Sequence, residues 1–255
     1  MNRIFCGDAP EVLRQLPSES VQMCVTSPPY YGLRNYGVDG QIGCEPSPLA
    51  YAERLVEVFR EVRRVLRQDG TLWLNIGDCY AGSGKGIWSK PVSERPTKSY
   101  EHLFLLSKSP QYYYDNAAIM EPLAGSTVER NKRAVSEKNK YAGGLPGIGV
   151  QAIFKPRPCT QSSGMKNKRD VWSVSTNSYR ADGYFAVFPE RLIEPCVMAG
   201  SRVNDIVLDP FFGSGTTGAV CKRLGRRYIG IELNPEYCAL EEKRIDEVKE
   251  ENRWK

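Results

Sequence analysis

The sequence predicts an α/β fold: a doubly wound, mostly parallel sheet with helices on both faces, interrupted by one loop-rich insert. Three observations predict it. Short apolar runs alternate with amphipathic stretches on either side of the insert, and a glycine-rich turn joins one late run to a helix. Only about 40 residues follow that turn, too few to complete a sheet, so the other strands must come from the amino-terminal half.

In order, RIFCGD (3–8) is a short apolar run ending on an acid, and APEVLRQLP after it suits a short helix. SVQMCVT (20–26) is a second strand feeding two consecutive prolines, Pro28 and Pro29. PLAYAERLVEVFREVRRVL (48–66) has apolar residues at 55, 58, 59, 62, 65 and 66, one face of a helix, and stops before Gln-Asp-Gly. TLWLNIG (71–77) reads as a buried strand. Beyond the insert, FPERLIEPCVMAG (188–200) is a helix closed by glycine and DIVLDP (205–210) a strand. The glycine turn, a helix through about Leu224, the strand RRYIGIE (226–232) and a helix from Pro235 complete the pattern.

Composition narrows the chemistry. A chain of 255 residues with 41% hydrophobic content can bury one sizeable core. It has no run near the ~18 apolar residues of a membrane span, and its first residues lack the apolar core of a secretion signal, so no membrane association and a cytoplasmic location are expected. The eight cysteines are scattered without a Cys-x-x-Cys pair, which argues against a zinc site or a disulfide framework. A single histidine, His102, disfavours serine–histidine and cysteine–histidine hydrolases and histidine-rich metal centres, and no metal requirement is expected.

The charge is localised. Between Gly125 and Asp182 stand eleven Lys and Arg against four Asp and Glu, a net +7 in a chain whose total is +5. The same stretch is rich in Gly, Ser, Asn and Pro and shows little periodicity. It is either a solvated basic loop or a segment that faces a polyanion.

Gly213, Gly215 and Gly218 form G-x-G-x-x-G after a strand and before a helix, with Glu232 at the end of the next strand. This is the general device for holding a nucleoside, the glycines admitting close backbone approach and the acid taking ribose hydroxyls. A nicotinamide-dependent dehydrogenase would share it. The Asp209-Pro210-Phe211 ending and the late position of the turn argue against that reading.

Taken together, GDAPEVLRQLP, TSPPY, FAVFPERLIEP, DPFFGSGTTG and GIELNPEY, in this order, resemble the permuted, beta-class DNA amino-methyltransferases, whose cofactor is S-adenosylmethionine. The likeness covers nearly the whole chain except the insert. It implies a Rossmann-like methyltransferase fold, circularly permuted, with residues 1–114 as the catalytic half, 115–182 as a target-recognition insert and 183–255 as the cofactor half.

The resemblance also gives the proline pair a purpose. Ser27, Pro28, Pro29 and Tyr30 would form the catalytic corner, presenting oxygens to the exocyclic amino group of a flipped base. Proline has no N–H and a fixed φ, so the pair stiffens the corner and leaves the Pro28 carbonyl free to face outward. Ser27 adds a second oxygen, and Tyr30 would stack on the extruded base, a contact typically worth ~1–3 kcal/mol. Catalysis by positioning and electrostatics suits a chain almost without histidine.

The cofactor residues implied are Asp8, Phe188, Pro189, Asp209, Phe211, Gly213, Ser214, Gly215, Thr216 and Glu232. The alternative reading of Asp8 and Asp209 is as plain helix caps. Where many relatives carry a histidine before the late Phe-Pro, this chain has Tyr184 or Phe185. His102 is read as structural. Arg133, Arg157, Lys166, Lys168 and Arg169 are the expected DNA contacts. The partners implied are double-stranded DNA, with room for a cognate restriction endonuclease and a homodimer.

Ser at the head of the tetrapeptide favours cytosine N4 over adenine N6 within the family, although both bases offer a hydroxyl the same donor–acceptor pair. Pro158-Cys159 and Pro195-Cys196 lack the setting of a ring-carbon methylation nucleophile. AGSGKGIWSKP (81–91) has Gly86 after Lys85, which rejects a P-loop; it reads as a loop over the DNA. A catalytically inactive DNA-binding module and a protein or RNA methyltransferase remain as alternatives.

Overall fold

The structure is a computed structural model and describes residues 2–33, 35–77, 100–132, 164–175 and 189–249. The chain divides into two compact units, one made of Met1–Ala118 with Ser173–Lys255, the other of Ile119–Trp172. These boundaries lie a few residues inside the 115–182 expected for the insert.

The larger unit is built on a six-stranded sheet in the order β1-β8-β7-β2-β3-β4. The strands are β1 (Arg3–Cys6), β2 (Val21–Thr26), β3 (Leu66–Ile76), β4 (His102–Ser107), β7 (Ile206–Asp209) and β8 (Arg227–Glu232). All neighbours run parallel except the edge strand β4, which is antiparallel to β3. All six residues of β2 are buried, as expected for a strand covered on both faces.

Helix α1 (Ala9–Gln15) is capped by Asp8, whose carboxylate accepts from the Glu11 N–H at 3.3 Å. Ser47 does the same for α2 (Pro48–Val65), accepting from the Ala50 N–H at 3.2 Å, with Pro48 opening the first turn. The stripe read from the sequence buries Leu55, Val58, Val62 and Val65 against Leu13, Leu16, Cys24, Leu208 and Ile231. Met23 and Trp73 pack instead under Gly200 of α4 (Glu190–Gly200), where a Cβ would come within 3.0 Å of the Met23 sulfur. Helices α5 (Thr216–Arg223) and α6 (Pro235–Asp246) complete this unit.

Strand β3 is longer than its sequence indicates. Gln-Asp-Gly reads as a turn, yet lies inside the strand as a bulge: Val21 pairs with Leu66 and Met23 with Thr71. A Cβ on Gly70 would stand 2.9 Å from the Gln22 carbonyl oxygen, so only glycine lets the bulge close on β2. The buried Gln22 amide donates to Asp69 Oδ1 at 3.3 Å and accepts from Arg67 Nη1 at 3.1 Å.

In the smaller unit, β5 (Glu121–Pro122) pairs antiparallel with β6 (Met165–Lys166), and α3 spans Gly125–Lys132. Among the described residues no helix is long and apolar enough to cross a membrane.

Phe212 is the aromatic keystone beneath the glycine turn. Its buried ring stacks on Tyr228 with centroids 5.8 Å apart. A Cβ on Gly230 would come within 2.4 Å of that ring, and one on Gly218 within 2.7 Å. Gly218, the last glycine of the motif, thus serves packing. Gly230→Ala should lower stability by about 1–3 kcal/mol through overpacking; thermal melting checks this, and the loss should shrink when Phe212 is also shortened to Leu.

Candidate active site

Strand order reverses between β7 and β2, whose chain neighbours depart to opposite sides of the sheet. In an open α/β sheet, the crevice outside the carboxyl ends at that point is where ligands bind. The two segments singled out by the sequence, Ser27–Tyr30 after β2 and Pro210–Gly215 after β7, both leave the sheet there.

Asp209, the last residue of β7, ties them together. Its fully buried carboxylate accepts from Thr26 Oγ1 at 2.6 Å, from Thr217 Oγ1 at 2.6 Å and from the Phe211 N–H at 3.1 Å. Thr26 ends β2 and immediately precedes Ser27, while Thr217 lies in the first turn of α5. Burial pushes the Asp209 carboxyl up to about 7 and the Glu232 charge adds to this; the hydrogen bonds from Thr217, Thr26 and Phe211 oppose it. Asp209 is therefore a strut between strands and not a helix cap.

The glycine turn closes on Glu232. The Gly213 N–H donates to Glu232 Oε2 at 2.9 Å and the Asn234 N–H to Oε1 at 2.8 Å. Gly213 (φ +56°) and Gly215 (φ +72°) are left-handed, which the motif requires. A Cβ on Gly213 would meet nothing nearer than the Phe211 carbonyl oxygen at 3.8 Å, so this backbone faces open space, a cradle for a ligand. Asp8 lies alongside, because Cys6 pairs with Glu232 and the Gly7 N–H donates to the Glu232 carbonyl at 2.8 Å. Besides capping α1, Asp8 meets Arg54 at 3.4 Å. Phe211 is half-buried against the core, and Pro189 is the N-cap residue of α4.

Ser214 and Thr216 are buried, their hydroxyls 3.1 Å apart. Both are held by Arg244 of α6, which donates to the Ser214 carbonyl at 2.6 Å, to Ser214 Oγ at 2.9 Å and to Thr216 Oγ1 at 3.2 Å. Its other nitrogen reaches Glu190 at 3.3 Å. These two side chains are thus directed to an arginine that the sequence reading missed. Nothing in the local pattern of α6 marks Arg244, since its partners lie about 30 residues away in the chain.

The Ser27–Tyr30 corner is rigidly supported. Tyr51 Oη donates to the Pro29 carbonyl at 2.8 Å. The Gly32 N–H donates to the Gly43 carbonyl at 2.7 Å, and Gly43, at φ +103°, would place a Cβ 2.9 Å from the Tyr30 carbonyl oxygen. Among the described residues the Pro28 carbonyl has no donor. The Tyr30 hydroxyl accepts from the Gly77 N–H at 2.9 Å and donates to Glu101 Oε2 at 3.4 Å. Burial, then the Glu101 charge, raise the Tyr30 hydroxyl above its ordinary value, so it stays protonated.

Glu241, one turn before Arg244 on α6, is wholly buried against Gly215, and among the described residues neither of its oxygens has a partner. Burial pushes it up to about 9, with the charges of Glu232 and Asp209 adding to the effect. Glu232 is itself raised by burial. Three acids thus lie around the glycine turn, and burial holds Glu241 in its neutral form. The open cradle at Gly213 and the acid Glu232 that closes the turn fit S-adenosylmethionine, which supplies an activated methyl group on a positively charged sulfur.

Lys166 and Lys168 both pair with Glu121, at 3.6 and 3.0 Å, and Lys168 lies 4.8 Å from the Trp172 ring centroid, while Arg169 is exposed. Cys196 is buried inside α4 and donates to the Leu192 carbonyl at 3.3 Å, so Pro195-Cys196 presents no nucleophile. The His102 ring packs against Tyr100 and Phe104. Phe188, Tyr184, Phe185, Arg133, Arg157, Pro158-Cys159 and the 81–91 loop lie outside the described residues.

A family model described as DNA methylase matches residues 21–87 and 84–243. The chain belongs to this DNA methylase family. The type II methyltransferase M.Cfr9I of Citrobacter freundii is 39% identical, over 92% of this chain and 84% of its own. A solved structure of TTHA0409 from Thermus thermophilus, described as a putative DNA modification methylase complexed with S-adenosyl-L-methionine, is 25% identical with a TM-score of 0.56, covering 96% of this chain and 95% of its own. The cytosine-N4-specific PvuII DNA methyltransferase shares the fold at a TM-score of 0.63 and 18% identity, covering 97% of this chain and 90% of its own. This methylase is an S-adenosylmethionine-dependent DNA amino-methyltransferase.

In the methylase, Glu241 stays protonated up to about 9 when folded, whereas unfolded it ionises near 4.5. The folded state binds more protons between these values, so stability must fall as pH rises through that window. Glu241→Gln removes this contribution. The ligand-free variant should melt with the wild type at pH 5 and above it at pH 8, as calorimetry can show. Asp209 leaves a residual slope, in the same direction, up to about pH 7.

Proposed function

We propose that the methylase modifies cytosine at the exocyclic N4 in double-stranded DNA, with Ser27–Tyr30 as the catalytic corner and the Asp209–Glu232 crevice as the cofactor site. The observation that carries this reading is the Thr26–Asp209 hydrogen bond, which joins the residue before Ser27 to the acid beginning the glycine turn. The Pro28 carbonyl and Ser27 Oγ accept from the amino group and turn its nitrogen lone pair toward the crevice. Tyr30, with its hydroxyl anchored, offers a ring for the extruded base to stack on. Glu232 takes the ribose hydroxyls, Asp8 the adenine amino group, and the Gly213–Thr216 backbone the methionine portion. Ser27 at the head of the tetrapeptide favours cytosine over adenine.

The Ile119–Trp172 unit serves target recognition. Arg169 is its exposed phosphate or base contact, joined by Arg133 and Arg157; Lys166 and Lys168 reach DNA by exchanging Glu121 for phosphate. As the type II relatives' names indicate for them, a cognate restriction endonuclease fits as the functional partner, and the enzyme acts in the cytoplasm, where its DNA lies.

Nucleoside mass spectrometry of enzymatically amplified genomic DNA, treated with enzyme and cofactor, should detect N4-methylcytosine; N6-methyladenine would assign the other base. Ser27→Ala should slow single-turnover transfer by about 10²–10³-fold while cofactor binding persists. Gly213→Val should act in the reverse sense, weakening cofactor binding about tenfold or more, ~1.4 kcal/mol, in titration calorimetry.

A further inference from the structure

Two prolines in succession leave the Ser27–Tyr30 corner few ways to bend. Each ring fixes φ, each peptide unit is planar, and a residue before proline is driven out of the α region, so Ser27 and Pro28 both favour extended backbone. What remains soft is set by the anchors at the two ends. At the near end, Thr26 Oγ1 donates to Asp209 at 2.6 Å. At the far end, Tyr51 Oη donates to the Pro29 carbonyl at 2.8 Å. The Pro28 carbonyl lies between these anchors and, among the described residues, has no donor of its own.

We infer that Tyr51 is a positioning residue for methyl transfer: by holding the Pro29 carbonyl, it aims the Pro28 carbonyl at the amino group of the base. The inference rests on the placement of Pro28 at the amino group proposed above. The two carbonyls are joined through the locked φ of Pro29 and a planar peptide bond, so ψ of Pro29 is the one soft torsion between them. A hydrogen bond that fixes the direction of the second carbonyl therefore restrains the plane of the first. The same bond decides which oxygen is free. Pro29 is already engaged by Tyr51, which leaves Pro28 as the unengaged acceptor for an amino group entering the corner.

Tyr51 is itself held in place. It closes the first turn of α2, which Pro48 opens and the Ser47 side chain caps, and its own N–H donates to the Ser47 carbonyl at 3.1 Å. Its ring packs against the core, with its centroid 5.5 Å from that of Tyr31. Burial, with Glu45 and Tyr30 adding to it, pushes the Tyr51 hydroxyl up to about 12, so it keeps the hydrogen that it donates. Tyr51 acts on the base only through Pro29 and Pro28.

Tyr51→Phe removes the donor and keeps the ring. Val62→Ala, about 16 Å further along the same helix, opens the core away from the corner and controls for general destabilisation. The assay is single-turnover transfer of tritiated methyl from S-adenosylmethionine to amplified genomic DNA. It is run at saturating concentrations, below the melting transition of every variant, with cofactor affinity measured separately. Tyr51→Phe should lower the rate about tenfold or more with cofactor affinity intact. Val62→Ala should melt lower and still transfer at the wild-type rate. A wild-type rate in Tyr51→Phe overturns the inference, and so does a loss that Val62→Ala matches or that cofactor affinity follows. Ser27→Ala separates the two levels: an inert Ser27→Ala beside a fully active Tyr51→Phe removes only the role of Tyr51, whereas an unimpaired Ser27→Ala removes the reading on which it rests.

Discussion

A buried carboxylate, with no cation beside it among the described residues and held by three hydrogen bonds, is the constraint on which this enzyme depends. Asp209 could not remain in the sheet interior if Thr26, Thr217 and the Phe211 N–H did not satisfy it, since an unpaired buried charge is strongly unfavourable. A hydrogen bond to a charged group contributes about 1.5–3 kcal/mol. Those bonds have a second effect. They fix the end of β2, the end of β7 and the start of α5 relative to one another, and so fix the distance between the Ser27–Tyr30 corner and the glycine turn.

Around that strut the protein works by placement. Proline, the Tyr51 hydroxyl and Gly43 leave the catalytic corner little freedom, while Gly77 pins the Tyr30 ring through its hydroxyl. Reactive geometry is set before the ligands arrive, which is where a methyl transfer with little acid–base chemistry gains most. On the other side of the glycine turn, Glu241 sits unpartnered among the described residues beside Glu232 and Asp209, and burial holds it protonated. A neutral acid there adds no charge to the turn.

The smaller unit follows a different logic. Its two lysines in the described arm share the one carboxylate of Glu121, which offsets part of that arm's positive charge. Arg169 keeps its charge exposed.

Much was legible without coordinates because it is local. Hydrophobic periodicity placed α2 within a residue or so, the Gly213–Gly218 motif marked the turn between β7 and α5, and the order of motifs implied the permuted sheet. Gln-Asp-Gly misled for a local reason too: its turn propensity is real, and the Gly70 bulge absorbs it inside a strand because Gln22 and Arg67 bond across the gap. The partners of the site were not legible. Thr26 and Asp209 stand 183 positions apart, and Tyr30 and Glu101 71 apart. Sequence by itself determined which residues could do the chemistry and which segments are strands, helices and turns, since those depend on neighbours along the chain. Only tertiary structure decided that Asp209 is a strut, that Arg244 holds the glycine turn and that the Tyr30 hydroxyl is held between Gly77 and Glu101, because hydrogen bonds and burial depend on neighbours in space.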